Sequence, residues 1–376
     1  MNIEGAPEWM PTYLVPFFTL SYPIDRPVDS DSFHSSNYYA TGLLDGCLII
    51  TCIAIMALLR DVFRVFLMEP FAHWYLTRKQ TYEPFKDVAN GSVENAPLVN
   101  GNGFTIEKSE VLRKKRREER IVRRSVLRFA EQGWSMIYYT VQWAYGLYIH
   151  SKLPTAPFNP SKVWLGYPHV PLAAPLKLYY LTQTAFYIHQ VLILNAEARR
   201  KDHWQMMTHH VITIVLMVLS YFYNFTRVGS LIMVLMDYCD IFLPLAKMFR
   251  YLSLPTICDA TFTWFLLSWF ITRHVLFILV IKSTYSDAST LIPFIWAPEN
   301  NHYWTYQIWM GFLAMLISLQ FIQMMWFGMI CNVAWRVISG QNAEDTRSDD
   351  EGDTSSQPDD TTENPIHTSS RLKKRR

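Results

Sequence analysis

Apolar residues dominate seven stretches of this chain, each long enough to cross a bilayer as a helix. A crossing helix needs about 20 mainly apolar residues, and the stretches run over residues 41–67, 131–149, 178–196, 204–223, 228–249, 262–282 and 304–333. Polar residues interrupt the third and fourth. The runs are continuous rather than alternating, which argues against a membrane β-barrel. The pattern predicts an all-α polytopic membrane protein with about seven transmembrane helices. It divides the chain into a segment 1–40, a first span 41–68, a basic loop 69–122, a six-span unit 123–338 and a polar tail 339–376.

Composition supports this division. Half of the 376 residues are hydrophobic and only 18% are charged, too apolar a balance for a soluble domain of this size. The formal net charge of +2 hides a basic block at 108–128 and an acidic block at 344–360. Neither block suggests nucleic acid. Basic runs beside membrane spans set topology and touch anionic lipid. The basic loop and the Arg199-Arg200-Lys201 run are therefore expected in the cytosol, with the N-terminus lumenal and the C-terminus cytosolic. A Pro-rich lumenal segment, 151–177, is expected to form an ordered cap without helix. The sequons at Asn90 and Asn224 are expected to carry no glycan, one being cytosolic and the other against the bilayer. The five cysteines show no disulfide or metal spacing. The first apolar run makes a poor signal peptide and a better uncleaved span.

After Gly340 the chain is polar and acidic and is expected to be disordered. Ser348-Asp349-Asp350-Glu351 has a context that acidophilic kinases favour. The ending Lys373-Lys374-Arg375-Arg376 is similar to the dilysine signal for retrieval to the endoplasmic reticulum, which works only on a cytosolic tail.

The chemistry concentrates in spans four and five. Ionisable groups are expensive at membrane depth and mark function by default. His209-His210 and Asp237/Asp240 lie there, and a spacing of three puts the two carboxylates on one helical face. Measured from the expected span ends, His209 and Asp240 differ in depth by about 7 Å, a gap that tilt and side-chain reach can close. Pro244 cannot donate to the carbonyl of Asp240, so a kink or a freed carbonyl is expected beside the carboxylates. Three readings compete with acid–base or nucleophilic chemistry: helix–helix hydrogen bonding, a metal site, and a proton relay without bond chemistry. The histidines are too few and too scattered for the metal-rich membrane oxidases, so no metal is expected.

Arg200-Lys-Asp-His-Trp-Gln-Met-Met-Thr-His-His, Arg227-Val-Gly and Met236-Asp-Tyr-Cys-Asp-Ile-Phe-Leu-Pro-Leu-Ala-Lys247 together resemble ceramide synthases of the longevity-assurance type, which are TLC-domain membrane proteins. Arg128-Phe-Ala-Glu-Gln-Gly-Trp134, Trp164-Leu-Gly-Tyr-Pro168, Lys177-Leu-Tyr-Tyr180, Leu319-Gln320 and Trp326 extend the resemblance over residues 123–335. The acidic tail and dilysine ending look like the fungal branch. One departure is Met236, where many relatives carry His.

The resemblance implies a TLC-type barrel of six spans around a lipid tunnel, preceded by one extra span. It implies acyl transfer from acyl-CoA to the amine of a sphingoid base, with no cofactor beyond that co-substrate. It favours His209 as nucleophile with His210 assisting, and Asp237 and Asp240 orienting the imidazoles. Arg273 is a candidate to balance the carboxylates or stabilise an oxyanion, Gln320 a candidate polar contact in the cavity, and Arg200 and Lys201 candidates for the CoA phosphates. Acyl-chain choice is attributed in this family to the tunnel and to the segment joining the last two spans, here 283–303. A small membrane regulatory subunit and a homo- or heterodimer are expected partners. The alternative, from a different class, is a non-enzymatic TLC-domain protein that senses lipid or aids membrane insertion; such relatives generally lack the His pair.

Overall fold

The structure, a computed structural model, describes residues 7, 9–27, 33, 35–78, 103–153, 160–196 and 202–339. The acidic tail, its dilysine ending, Asn90, Arg199, Arg200 and Lys201 lie outside the described residues.

Helices carry the architecture. After a single turn α1 (Val15–Phe18) come α2 (Asp45–Arg78), α3 (Gly103–Lys152), α4 (Ala174–Ala196) and α5 (His203–Phe222). Then follow α6 (Thr226–Tyr251), α7 (Pro255–Leu291) and α8 (Tyr306–Ile338). Among the described residues, α2, α5, α6, α7 and α8 are long and apolar enough to cross a membrane. The chain is thus a multi-pass membrane protein.

The stretches 131–149 and 178–196 are also helical but more polar. In α4 the reason is visible: Lys177, Gln183, Thr184 and His189 are all buried, so its polar side chains face protein rather than lipid. Such a helix is held by neighbours and does not need an apolar surface all round. The basic stretch after residue 103 is helix where a loop was expected. No Gly or Pro occurs between Phe104 and Gln132, and its Lys, Arg and Glu are good helix formers, so α3 runs unbroken for 50 residues.

Two helices contain π-helical segments, Phe63–Met68 in α2 and Phe270–Leu276 in α7. Such bulges re-aim side chains locally, and the second carries Arg273. Pro244 sits inside α6 without ending it.

One end of the bundle carries short strands. β1 (Pro23–Ile24), β2 (Tyr38–Tyr39) and β3 (Leu172–Ala173) pair antiparallel in that order. β4 (Ile295–Ala297) and β5 (His302–Trp304) form a hairpin between α7 and α8. The Pro-rich segment before α4 also contains a 3-10 helix, Pro160–Trp164. At this end Asn224, buried with φ +63°, donates its side-chain amide to the carbonyl of Asn301 at 2.9 Å. It thereby ties the α5–α6 turn to the hairpin.

A buried ion pair locks the same end. Lys177 Nζ lies 2.8 Å from Asp45 and donates to the carbonyls of Ser21 and Ala40, each at 2.7 Å. Asp45 also accepts from the hydroxyl of Tyr221 at 2.7 Å and the backbone N–H of Gly42 at 3.0 Å. The rings of Tyr22 and Tyr39 flank the ammonium. All three ammonium protons have acceptors, which is the condition for a buried cation to be tolerated.

Candidate active site

His209 lies on α5 and faces an apolar cavity of about 80 Å³. α5 contributes His209, Thr213, Leu216, Met217 and Ser220 to its wall, and α8 contributes Phe312, Leu316, Leu319 and Gln323. These spacings of three and four place each set on one helix face. Eleven residues along either helix correspond to a lined length of about 16 Å. The remaining walls come from α4 (Tyr180, Tyr187), α6 (Val228, Gly229, Ile232, Met233, Met236), α7 (Arg273, Phe277, Thr284) and aromatic residues at the strand end.

The adjacent histidines point in different directions, since neighbours on a helix are about 100° apart. The ring of His209 packs edge-on to Trp326, 5.1 Å between centroids. The ring of His210 packs on Tyr187 at 5.9 Å and is outside the cavity lining. Nδ1 of each imidazole is buried without a hydrogen-bond partner.

His209 and Asp240 are level in the bundle. Counting from Tyr223 back to His209 gives 14 residues, and from Phe225 on to Asp240 gives 15. The two distances from the α5–α6 turn are therefore roughly 21 and 22 Å. The expected offset of about 7 Å vanishes because α6 simply runs further past the site than α5 begins before it.

Even so, neither carboxylate touches an imidazole, and the expected orientation of the histidines by Asp237 and Asp240 has no direct contact behind it. The two carboxylates share a face of α6 but serve different neighbours. Asp240 pairs with Arg273 of α7 at 2.7 Å. Arg273 donates further to the carbonyl of Met236 at 3.0 Å and to Cys239 Sγ at 2.9 Å, with its guanidinium 4.1 Å above the ring of Trp269. Fully buried Asp237 accepts from the side-chain amide of Gln183 on α4. The oxygen of that amide accepts from Tyr138 at 3.2 Å, and Gln142 donates to the Tyr138 hydroxyl at 3.2 Å. A chain of amides and a phenol thus links α3 and α4 to the carboxylate on α6.

Gln320 is not part of the cavity. It faces α7 and meets Nδ1 of His274 at 2.8 Å. Gln323, one turn on, lines the cavity instead and donates to Met236 Sδ at 3.4 Å. Met236 also lines the cavity, at the position where His was the expected alternative. Gln183, Tyr187 and Gln323 were not singled out from sequence. A usable signal existed for the two glutamines, since each is an amide inside a long apolar helix. For Tyr187 nothing in the sequence marks it. Among the described residues no three His, Cys, Asp or Glu side chains converge as a metal-binding set.

As chemistry, the site offers an imidazole on α5 at the polar end of an apolar chamber, a guanidinium from α7 lining the same chamber, and a partly exposed carboxylate on α6 holding that guanidinium. This arrangement suits nucleophilic attack or proton abstraction on a lipid, with a fixed cation to receive developing negative charge.

The sequence comparisons agree with this architecture. The TLC domain matches residues 128–332, more than half of the chain, and the chain belongs to the TLC-domain family. It is 40% identical over 256 residues to the ceramide synthase FUM18 of Gibberella moniliformis, covering 61% of this chain and 60% of that protein. It is 40% identical over 232 residues to the sphingosine N-acyltransferase lag1 of Schizosaccharomyces pombe, covering 61% and 59%. With ceramide synthase 4 of Bos taurus the identity is 29% over 315 residues, covering 78% and 75%. The chain thus spans about three fifths of the length of the two fungal relatives.

Proposed function

We propose that this chain is a ceramide synthase, transferring a fatty acyl group from acyl-CoA to the amine of a sphingoid base. The observation that carries the reading is His209, an imidazole free at Nδ1, set in the wall of an apolar chamber in a protein whose relatives bear that activity in their names. A lipid-sensing or insertion role needs the chamber but not the histidine.

The chemistry proceeds in two balanced steps. A nitrogen of His209 attacks the thioester carbonyl, the C–S bond breaks, and the CoA thiolate leaves with the imidazole proton. The sphingoid amine then attacks the acyl-imidazole, the C–N bond to histidine breaks, and the amine proton returns to the imidazole. Amide and free CoA are the products. Arg273 faces the oxyanion of each tetrahedral intermediate, and Asp240 keeps the guanidinium in place. His210 assists from outside the chamber, and Asp237 sets the packing of α6 against α4.

In this reading seven helices cross the membrane, α3 and α4 being the two beyond the clearly apolar five. Six of them, α3 to α8, form a barrel around the chamber. The strand end is lumenal and the basic end cytosolic, in the endoplasmic reticulum, with Arg200 and Lys201 near the CoA phosphates. A small regulatory subunit and a dimeric assembly complete the proposal.

The test is N-acylation in membranes from cells lacking their own ceramide synthases, with a panel of acyl-CoAs and two sphingoid bases read by mass spectrometry. Wild type makes ceramide and His209→Ala at matched expression does not. Equal product from both discards the active site, and a chain active in lipid insertion without ceramide would return the non-enzymatic alternative.

A further inference from the structure

Aliphatic side chains such as Leu216, Met217, Ile232, Met233, Leu316 and Leu319 line part of the chamber, and at the strand end it meets rings. Trp164, Phe225 and Trp304 line it there. Trp164 and Trp304 are 3% and 1% exposed, so this end is packed shut. Phe225 lies 6.0 Å from Trp164 and 4.8 Å from Trp304 between ring centroids.

Trp164 belongs to neither α7 nor α8. It ends the 3-10 helix Pro160–Trp164 in the segment between α3 and α4. Its indole N–H donates to the hydroxyl of Ser283 on α7 at 2.9 Å. That hydroxyl donates to Asp287 at 2.7 Å, and Ser161, three residues before Trp164, donates to the same carboxylate oxygen at 2.5 Å. A single carboxylate therefore grips both the ring's partner and the ring's own turn. Most of the aliphatic wall residues carry no such clamp; Leu, Met and Ile can change rotamer to admit an extra carbon, whereas a hydrogen-bonded indole packed edge-on against Phe225 cannot.

We propose that Trp164 is the floor that sets the longest acyl chain the chamber accepts, and that Ser161, Ser283 and Asp287 position it. The inference rests on the acyl-transfer reading above. It also gives the segment after Ser283 an indirect route to chain-length choice: a change there acts by moving Trp164, a residue outside it. An apolar pocket of fixed depth discriminates against one methylene too many by roughly 10-fold or more, so a single rigid ring at the end suffices for a sharp cut-off.

The experiment is competition among saturated acyl-CoAs of increasing length in membranes from cells without their own ceramide synthases, with ceramides resolved by mass. Trp164→Ala is expected to move the product distribution to longer chains, raising the ratio of longer to wild-type-preferred product at least about 10-fold. Ser283→Ala shifts it the same way but less, because the ring stays and only its clamp is lost. Leu316→Trp, which fills the chamber without touching the floor, shifts it to shorter chains. Should Trp164→Ala not yield a monodisperse protein in detergent, Trp164→Leu, which keeps an apolar side chain, takes its place. A folded, active variant of Trp164 with the wild-type length distribution overturns the proposal. A wild type that makes no ceramide overturns the acyl-transfer reading, and the floor with it; the two failures are separate outcomes of one assay.

Discussion

Arg273 and Asp240 meet at 2.7 Å between α7 and α6, the guanidinium 4% exposed and the carboxylate 23%. The pair fixes the one cation in the chamber wall among the described residues, next to the cavity that His209 also faces. Arg273 reaches it from a π-helical segment, which adds a residue to the turn and rotates the side chain toward α6.

Removing one partner of this pair leaves the other buried and uncompensated. Arg273→Leu is expected to lower stability by about 3 kcal/mol, the lower end of the range for broken buried pairs, because Asp240 keeps some exposure. Arg273→Leu combined with Asp240→Leu is expected to recover most of that loss while activity stays absent. Thermal unfolding in detergent beside the N-acylation assay checks both, and a double variant no more stable than the single would contradict the pairing.

The two histidines are predicted to separate kinetically. His209→Ala should lower kcat/KM by at least about a thousandfold, as for loss of a nucleophile. His210→Ala, outside the cavity lining, should cost markedly less. Neither should shift the melting temperature much, since no hydrogen bond at Nδ1 is lost in either case.

Lys177 holds the strand end together. Lys177→Met strips Asp45 of its cation and frees the carbonyls of Ser21 and Ala40, at an expected cost of about 3–5 kcal/mol. Because those carbonyls lie in the chain before α2, limited proteolysis should cut residues 35–44 faster in the variant than in wild type. Unchanged cutting would mean that the segment is held by other contacts.

Gln183→Leu removes the amide that donates to Asp237 and leaves a buried acceptor without its donor. A loss of about 1–3 kcal/mol is expected. Gln183→Glu, setting a second carboxyl against the first, should be the more damaging change, and comparing the two melting temperatures decides whether the hydrogen bond or the side-chain volume matters.

Gly229 reports on close helix approach. A Cβ there would clash with the Tyr180 hydroxyl, which is itself bonded to Ser220 at 2.5 Å. Gly229→Ala should therefore destabilise by about 1–3 kcal/mol through overpacking, and Tyr180→Phe should relieve part of that cost in the double variant. A purely additive double variant would mean that the two side chains do not meet.

Much of the fold is legible in the residues taken singly. The apolar runs mark α2, α5, α6, α7 and α8 because bilayer-crossing length and apolarity are local properties of the chain. The membrane-depth ionisable groups His209, His210, Asp237, Asp240 and Arg273 stand out for the same reason: each is costly where it is. The spacing of Asp237 and Asp240 places them on one face of α6, and α6 bears that out.

What the sequence by itself determined is thus which apolar segments are membrane-length helices and which groups need partners, but not that the basic stretch after residue 103 continues as helix or which glutamine of α8 lines the chamber. The partners were decided only by tertiary packing. Asp237 turned to Gln183 and Asp240 to Arg273, not to the histidines, because α4 and α7 flank α6 at those two positions. Gln323 rather than Gln320 entered the chamber because Gln320 is turned to His274 of α7. Trp164 reached the chamber from a distant segment because its indole bonds Ser283 while Asp287 holds Ser161 of the same turn. Helix periodicity is written in residues three and four apart, whereas these contacts join residues 33 to 126 positions apart, and only the assembled bundle brings them within reach.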